Sequence, residues 1–169
     1  IFQKYKKDIE HFVETGTFMG GSMDPAREAG FKSITTVEIM ERLASRAQRD
    51  YGHDPRIKVV CGNTATCLKS LIDQNQQRMF FWLDAHDVGS FPLLEELAQI
   101  GQHVRNDHTI LIDDMRCAGT DAFNNLSKAD IEAAVRAINP DYNITYEVNA
   151  DGVPDILVAQ VVSPTKKEE

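Results

Sequence analysis

Val13-Glu14-Thr15-Gly16-Thr17-Phe18-Met19-Gly20-Gly21-Ser22 is the stretch whose reading decides the fold. The run His11–Thr15 reads as a strand, the glycines as a tight turn, and Gly20–Ala29 as the helix that follows. The same punctuation recurs downstream. Glu38 closes Ile34-Thr35-Thr36-Val37-Glu38, Asp84 closes Phe80-Phe81-Trp82-Leu83-Asp84, and Asp113 and Asp114 close Ile110-Leu111-Ile112-Asp113-Asp114. In an open α/β sheet, ligands bind in the crevice beyond the carboxyl ends of the strands. Apolar runs that each end in a carboxylate therefore point to one shared site.

Outward from these runs, short apolar segments alternate with amphipathic ones. Ser33–Glu38, Ile57–Cys61, Met79–Asp84 and Thr109–Asp113 read as further strands. Met40–Tyr51, Thr64–Asp73 and Pro92–His103 carry apolar residues at helical spacing. Met79–Asp84 is almost wholly apolar, as a strand buried on both faces should be. Ser127-Lys128-Ala129-Asp130 resembles a capping box opening a helix that runs to about Ile138 and stops at Asn139-Pro140. Two strand-like runs follow, Ile144–Val148 and Ile156–Val161. The segment Asn149–Asp155 between them is too short for a helical crossover, so they should form an antiparallel hairpin. The expected fold is α/β: a Rossmann-like doubly wound sheet, mostly parallel, with a C-terminal antiparallel hairpin.

The chain has 169 residues, which fits a single domain spanning 1–169. Lys and Arg number 18 against 26 Asp and Glu, a formal charge of -8. That balance disfavours nucleic-acid phosphates as partners. The lysines of Lys4-Tyr5-Lys6-Lys7 and Lys166-Lys167 read as solvated termini. No apolar stretch approaches the roughly 20 residues needed to cross a bilayer, and no secretory signal is visible. Cys61, Cys67 and Cys117 form no C-x-x-C pair, so reduced thiols in a cytoplasmic setting are expected.

The strand-end residues suggest a chemistry. Gly16, Gly20 and Gly21 allow a tight turn and close approach of a ligand to backbone, though tight strand-to-helix packing would use the same residues. Phe18 stands where a G-x-G-x-x-G pattern has its middle glycine. Glu38, at the end of the second strand, suits hydrogen bonding to a ribose diol. Asp84, Asp113 and Asp114 fall at the ends of strands expected to be neighbours. Carboxylates that close repel one another unless a proton or a cation intervenes, and Mg²⁺ takes a few carboxylates plus waters and substrate oxygens. The plainer alternatives are a helix cap, a solvent-facing side chain, or a salt bridge from Arg116 to Asp113 or Asp114. His86 falls inside the same crevice. Arg116–Leu126, without apolar periodicity, reads as a mobile loop bordering an acceptor pocket.

Together these motifs resemble class I S-adenosylmethionine-dependent methyltransferases, and more closely the metal-dependent O-methyltransferases of the catechol and macrocin/rhamnosyl types. The likeness covers about Phe12 to Met115. Val13–Ser22 looks like the family's first motif, which implies that Glu14, Gly16, Thr17, Phe18, Gly20 and Ser22 contribute to the cofactor site. Thr36-Val37-Glu38-Ile39 looks like the segment whose acid holds the ribose hydroxyls. Gly62-Asn63-Thr64-Ala65 resembles the turn against the adenine. Phe81-Trp82-Leu83-Asp84-Ala85-His86 resembles the fourth-strand motif and Leu111-Ile112-Asp113-Asp114 the next. These imply a divalent metal at Asp84, Asp113 and Asp114, and a cofactor lying against Asp84 and His86.

The chain departs from the catechol pattern. Asp87 stands where that family places a lysine base, and Asp114 where asparagine is common. His86 is then the candidate base, and Ile1–Ile9 offers only one short helix where the family covers its substrate with several. The implied function is methyl transfer from S-adenosylmethionine to a hydroxyl of a small-molecule acceptor, assisted by Mg²⁺ or a similar cation. A nicotinamide-dependent dehydrogenase is disfavoured by the missing G-x-G-x-x-G and by the final hairpin. Asp84-Ala85-His86-Asp87 is similar to the D-A-H-x-D of binuclear manganese ureohydrolases, but their accompanying motifs are missing. A non-catalytic cofactor-binding or interaction module of the same fold is the alternative from a different class.

Overall fold

The computed structural model describes residues 1–86 and 91–161. Asp87, Lys166 and Lys167 lie outside the described residues. A short helix α1 (Phe2–Lys6) precedes β1 (His11–Thr15), α2 (Met23–Glu28), β2 (Ser33–Glu38), α3 (Glu41–Tyr51), β3 (Ile57–Cys61) and α4 (Thr64–Ile72). Then come β4 (Met79–Leu83), α5 (Leu93–Gly101), β5 (Thr109–Ile112), α6 (Lys128–Ile138), β6 (Tyr142–Val148) and β7 (Pro154–Val161).

The strands form one sheet in the order β3-β2-β1-β4-β5-β7-β6. β1 to β5 pair in parallel, while β7 runs antiparallel to both β5 and β6. The fold is therefore the mostly parallel Rossmann-like sheet with a terminal hairpin that the apolar runs predict. Register aligns the strand ends: Thr15 pairs with Val37 and with Leu83, Leu83 with Ile112, and Glu38 with Cys61. The residues just after each strand thus share one edge.

Side chains alternate across the sheet, which divides the core into two layers. Phe81, Leu83, Ile110 and Ile112 pack with residues of α4, α5 and α6 on one face. Phe12, Phe80, Trp82 and Leu111 pack with α1 and α2 on the other. Phe2 meets Phe12 and Trp82 edge-on, each at 5.0 Å between ring centroids. Offset and edge-on aromatic pairs add about 0.5–1.5 kcal/mol each beyond area burial. α6 opens with the expected capping box, Ser127 and Asp130 satisfying each other's backbone amides.

Two expectations beside the strand ends shift. α2 begins at Met23 rather than Gly20, because Gly20 at φ 81° belongs to the turn itself. Arg116–Leu126, expected as a mobile loop, is shaped by two 3-10 turns, Met115–Cys117 and Asp121–Phe123, and closed by a hydrogen bond from Gly119 N to Leu126 O at 2.7 Å. Phe123 anchors it, fully buried and stacked on Phe91 at 4.0 Å. Among the described residues no helix is long and apolar enough to cross a membrane.

Candidate functional site

The turn after β1 is built around Gly16, whose φ of 83° is costly for other residues. A Cβ there would lie 2.5 Å from the carbonyl oxygen of Asp84, so the first turn packs directly on the fourth strand's end. The amides of Gly16 and Thr17 donate to Val37 O at 2.9 and 3.3 Å. Phe18 also has positive φ, 46°. Its amide donates to Glu38 Oε2 at 2.7 Å while the residue as a whole is 68% exposed. Glu38 Oε1 accepts from the Met40 amide at 2.8 Å. Glu38 therefore ties the first turn to the second and, each carboxylate oxygen having two lone pairs, keeps acceptor capacity.

The first motif divides in two. Gly16 and Phe18 line the main cavity, as do Glu38, Ile39, Asn63 and Thr64. Glu14, Thr17, Gly20 and Ser22 do not; they build the turn from behind. Glu14 is buried and accepts hydrogen bonds from the hydroxyls of Ser22 and Thr36. Thr17 and Thr36 share a hydroxyl contact of 2.5 Å. Burial pushes the Glu14 carboxyl up to about 7, with the hydrogen bonds from Ser22 and Thr36 opposing the shift. The space beside Gly20 is taken by Tyr51, whose hydroxyl donates to Gly20 O at 3.2 Å.

Asn63 caps α4, its side chain accepting from Ala65 N at 2.9 Å. Behind this turn stands a carboxylate that strand-end reading misses. Glu96 of α5 is buried and accepts from Thr64 Oγ1 at 2.5 Å and Thr15 Oγ1 at 3.3 Å. Leu93, Glu96, Leu97 and Ile100 occupy one helical face, so a glutamate inside that apolar pattern was the available signal.

At the ends of β4 and β5 the acids converge, though not as a trio of aspartates. Asp84, His86 and Asp114 each offer a ligand atom within 4.8 Å of the others. Asp113 stands outside that group; its Oδ1 accepts the Asp114 amide at 2.8 Å. His86 Nε2 is 3.0 Å from Asp114 Oδ2, and Nδ1 is 3.6 Å from Asp84 Oδ1. Arg116 bridges Asp114 and Asp155, 2.5 Å from each, so the salt bridge considered as the plainer alternative is present on Asp114. Burial, and then the negative charges of Asp113 and Asp114, push the Asp84 carboxyl up to about 7. Hydrogen bonding to Asp114 raises the His86 pKa, and the same bond lowers that of Asp114.

This donor set fits a divalent cation. The carboxylates of Asp84 and Asp114 lie at chelating separation with the His86 imidazole beside them, and the like-charge repulsion on Asp84 is what a bound cation relieves. Hard oxygen donors suit Mg²⁺ or Mn²⁺. A cavity of about 510 Å³ joins the two halves of the site, running from Gly16, Glu38 and Asn63 to Asp84, His86 and Asp114. That volume lies within the usual range for small-molecule sites.

The strand order and the antiparallel β7 between β5 and β6 are those of the Rossmann-like fold of methyltransferases. Solved structures agree. The chain is similar to an O-methyltransferase from Bacillus cereus crystallised with SAH, at 18% identity and a TM-score of 0.66, covering 95% of this chain and 77% of that one. It is similar to an S-adenosylmethionine-dependent methyltransferase from Mesorhizobium loti, at 12% identity and a TM-score of 0.58, covering 88% and 89%. Streptomyces venezuelae DesVI matches at 10% identity and a TM-score of 0.63, covering 95% and 87%. No family model and no curated protein sequence matches the chain. Likeness at these identities establishes fold; activity has to be argued from the site.

Proposed function

We propose that this protein is an S-adenosylmethionine-dependent methyltransferase acting on a hydroxyl of a small-molecule acceptor, with a divalent cation assisting. The observation that carries the reading is the single cavity in which a glycine turn and a ribose-type acid adjoin an acid–imidazole cluster. A dehydrogenase of the doubly wound type has six parallel strands, and the antiparallel β7 argues against it. SAH in the B. cereus structure supports the choice of cofactor. Free thiols at Cys61, Cys67 and Cys117 support a cytoplasmic setting.

Each residue has a role in this reading. Gly16 gives the cofactor close access to backbone, Glu38 accepts from its ribose hydroxyls, and Asn63-Thr64 walls its base. Asp84 and Asp114 would hold the cation. When bound, the cation supplies a Lewis acid that lowers the hydroxyl pKa, and S-adenosylmethionine supplies the methyl group. His86 takes the hydroxyl proton at Nδ1, its Nε2–H fixed on Asp114 Oδ2. Holding acceptor and donor in one cavity supplies the orientation that turns a bimolecular transfer into an effectively unimolecular one.

Titration calorimetry with S-adenosylmethionine and SAH tests the reading. Wild-type protein should bind both, and Glu38→Ala should weaken binding by about 1–3 kcal/mol through loss of charge-assisted hydrogen bonds. Heat with NAD and none with either methyl-cycle ligand would sink it. Binding without turnover across a panel of hydroxyl acceptors would favour the non-catalytic module.

A further inference from the structure

Glu96 is a buried carboxylate with no part in the chemistry above. Among the described residues no ion pair reaches it; hydroxyls alone satisfy it. Removing a carboxylate from water into a protein interior costs free energy that neutral hydrogen bonds offset only in part. An apolar residue at this position of α5 would complete the face formed by Leu93, Leu97 and Ile100, so packing alone does not account for a glutamate.

Its two partners explain the position. Thr15 is the last residue of β1 and immediately precedes Gly16. Thr64 is the first residue of α4 and immediately follows Asn63. Gly16, Asn63 and Thr64 all line the main cavity. Glu96 itself lines a small void shared with Asp84 and His86. One helical turn along, Gln99 donates from Nε2 to the carbonyls of Thr64 and Ala65 at 2.9 and 3.0 Å, and its Oε1 accepts from Lys69 N at 2.8 Å. α5 thus grips the start of α4 by side chain and by backbone, and joins it to the end of β1.

We propose that Glu96 is a positioning residue for the cofactor cavity, fixing the turn after β1 and the turn before α4 at their working separation. The proposal rests on the methyltransferase reading. A wall set within a fraction of an ångström is what a preorganised site requires of the residues behind it. Glu96 never touches the ligand; it acts through Thr15 and Thr64. Burial pushes its carboxyl up to about 7, consistent with a group kept at a cost to the fold.

The test compares SAH affinity by calorimetry with stability by denaturant unfolding. Glu96→Leu should weaken SAH binding by about ten-fold, equivalent to about 1.4 kcal/mol, and should cost the fold some stability, because the buried hydroxyls of Thr15 and Thr64 lose their shared acceptor. Glu96→Gln, which can accept from one threonine and donate to the other, should restore affinity to within about two-fold. If Glu96→Leu does not fold, the isosteric Thr15→Val cuts the β1 arm of the link alone and should weaken SAH binding several-fold. Wild-type binding with unchanged affinity in the folded variants would overturn the inference and leave the functional reading standing. Wild-type protein that binds neither SAH nor S-adenosylmethionine overturns both.

Discussion

Asp114 has φ 56° and ψ 29°, a left-handed conformation that aspartate and asparagine tolerate better than most residues. That turn separates two neighbours of identical chemistry. Asp113 folds back on the Asp114 amide, whereas Asp114 meets His86 and Arg116. The sequence presents the pair as equivalent, and no spacing rule distinguishes them, because the difference lies in one backbone torsion. It has a measurable consequence. In Mn²⁺ titrations of the metal-free protein, Asp113→Asn should weaken binding by no more than the roughly 10–100-fold typical of an outer partner. Asp84→Asn and Asp114→Asn should each cost more. Equal losses at Asp113 and Asp114 would contradict the assignment. Glu14 and Ser22 teach the same lesson: they belong to the first motif, yet their partners are each other and Thr36. Resemblance over ten residues identifies a turn without saying which of its side chains face the ligand.

At the scale of elements, apolar runs and their lengths carried the topology. β4 is buried from Met79 to Leu83, and the seven-residue gap Asn149–Asp155 left room only for a hairpin. β6 nevertheless begins at Tyr142, earlier than Ile144, because buried Tyr142 continues an alternation that Asn143 obscures. The segment after β5 was illegible for a related reason. Its one deeply buried residue, Phe123, at the end of the second 3-10 turn, cannot generate a period, and glycine, threonine and asparagine around it imitate a loop. Its burial against Phe91, with His86 edge-on at 5.9 Å, makes the segment part of the wall behind the site. Phe123→Ala should lower stability by about 3–5 kcal/mol, the usual cost of deleting a buried phenyl ring. It should also speed amide exchange across residues 116–126. A stability change no larger than the roughly 0.5 kcal/mol of a surface substitution would restore the mobile-loop reading.

Across the whole molecule, buried ionisable groups set a pH profile that the formal charge of -8 does not reveal. Glu14 and Glu96 have folded pKa values raised to about 7 from 4.5. Between those values the folded protein holds protons that the unfolded chain has released. Their contribution is complete below pH 4.5 and is lost as pH rises through 7, by about 1.4 kcal/mol per unit for each proton. His108 acts in the opposite sense. Its buried ring lies against His103, with Nδ1 accepting from Met79 N at 3.1 Å, and burial lowers its pKa from 6.5 to about 4. Its contribution is present above 6.5 and is lost as pH falls through 4. Asp84, also raised to about 7, acts in the same sense as the two glutamates; one histidine opposes three carboxylates, so stability should be greater near pH 5 than at pH 8. Glu14→Gln keeps the acceptor for Ser22 or Thr36 and removes one titration. Urea unfolding at pH 5 and pH 8 should then show the difference between the two pH values reduced by about 1–3 kcal/mol, with His108 unaffected. A difference as large as that of the wild type would mean that Glu14 stays ionised inside the fold, its charge held by Ser22 and Thr36 alone.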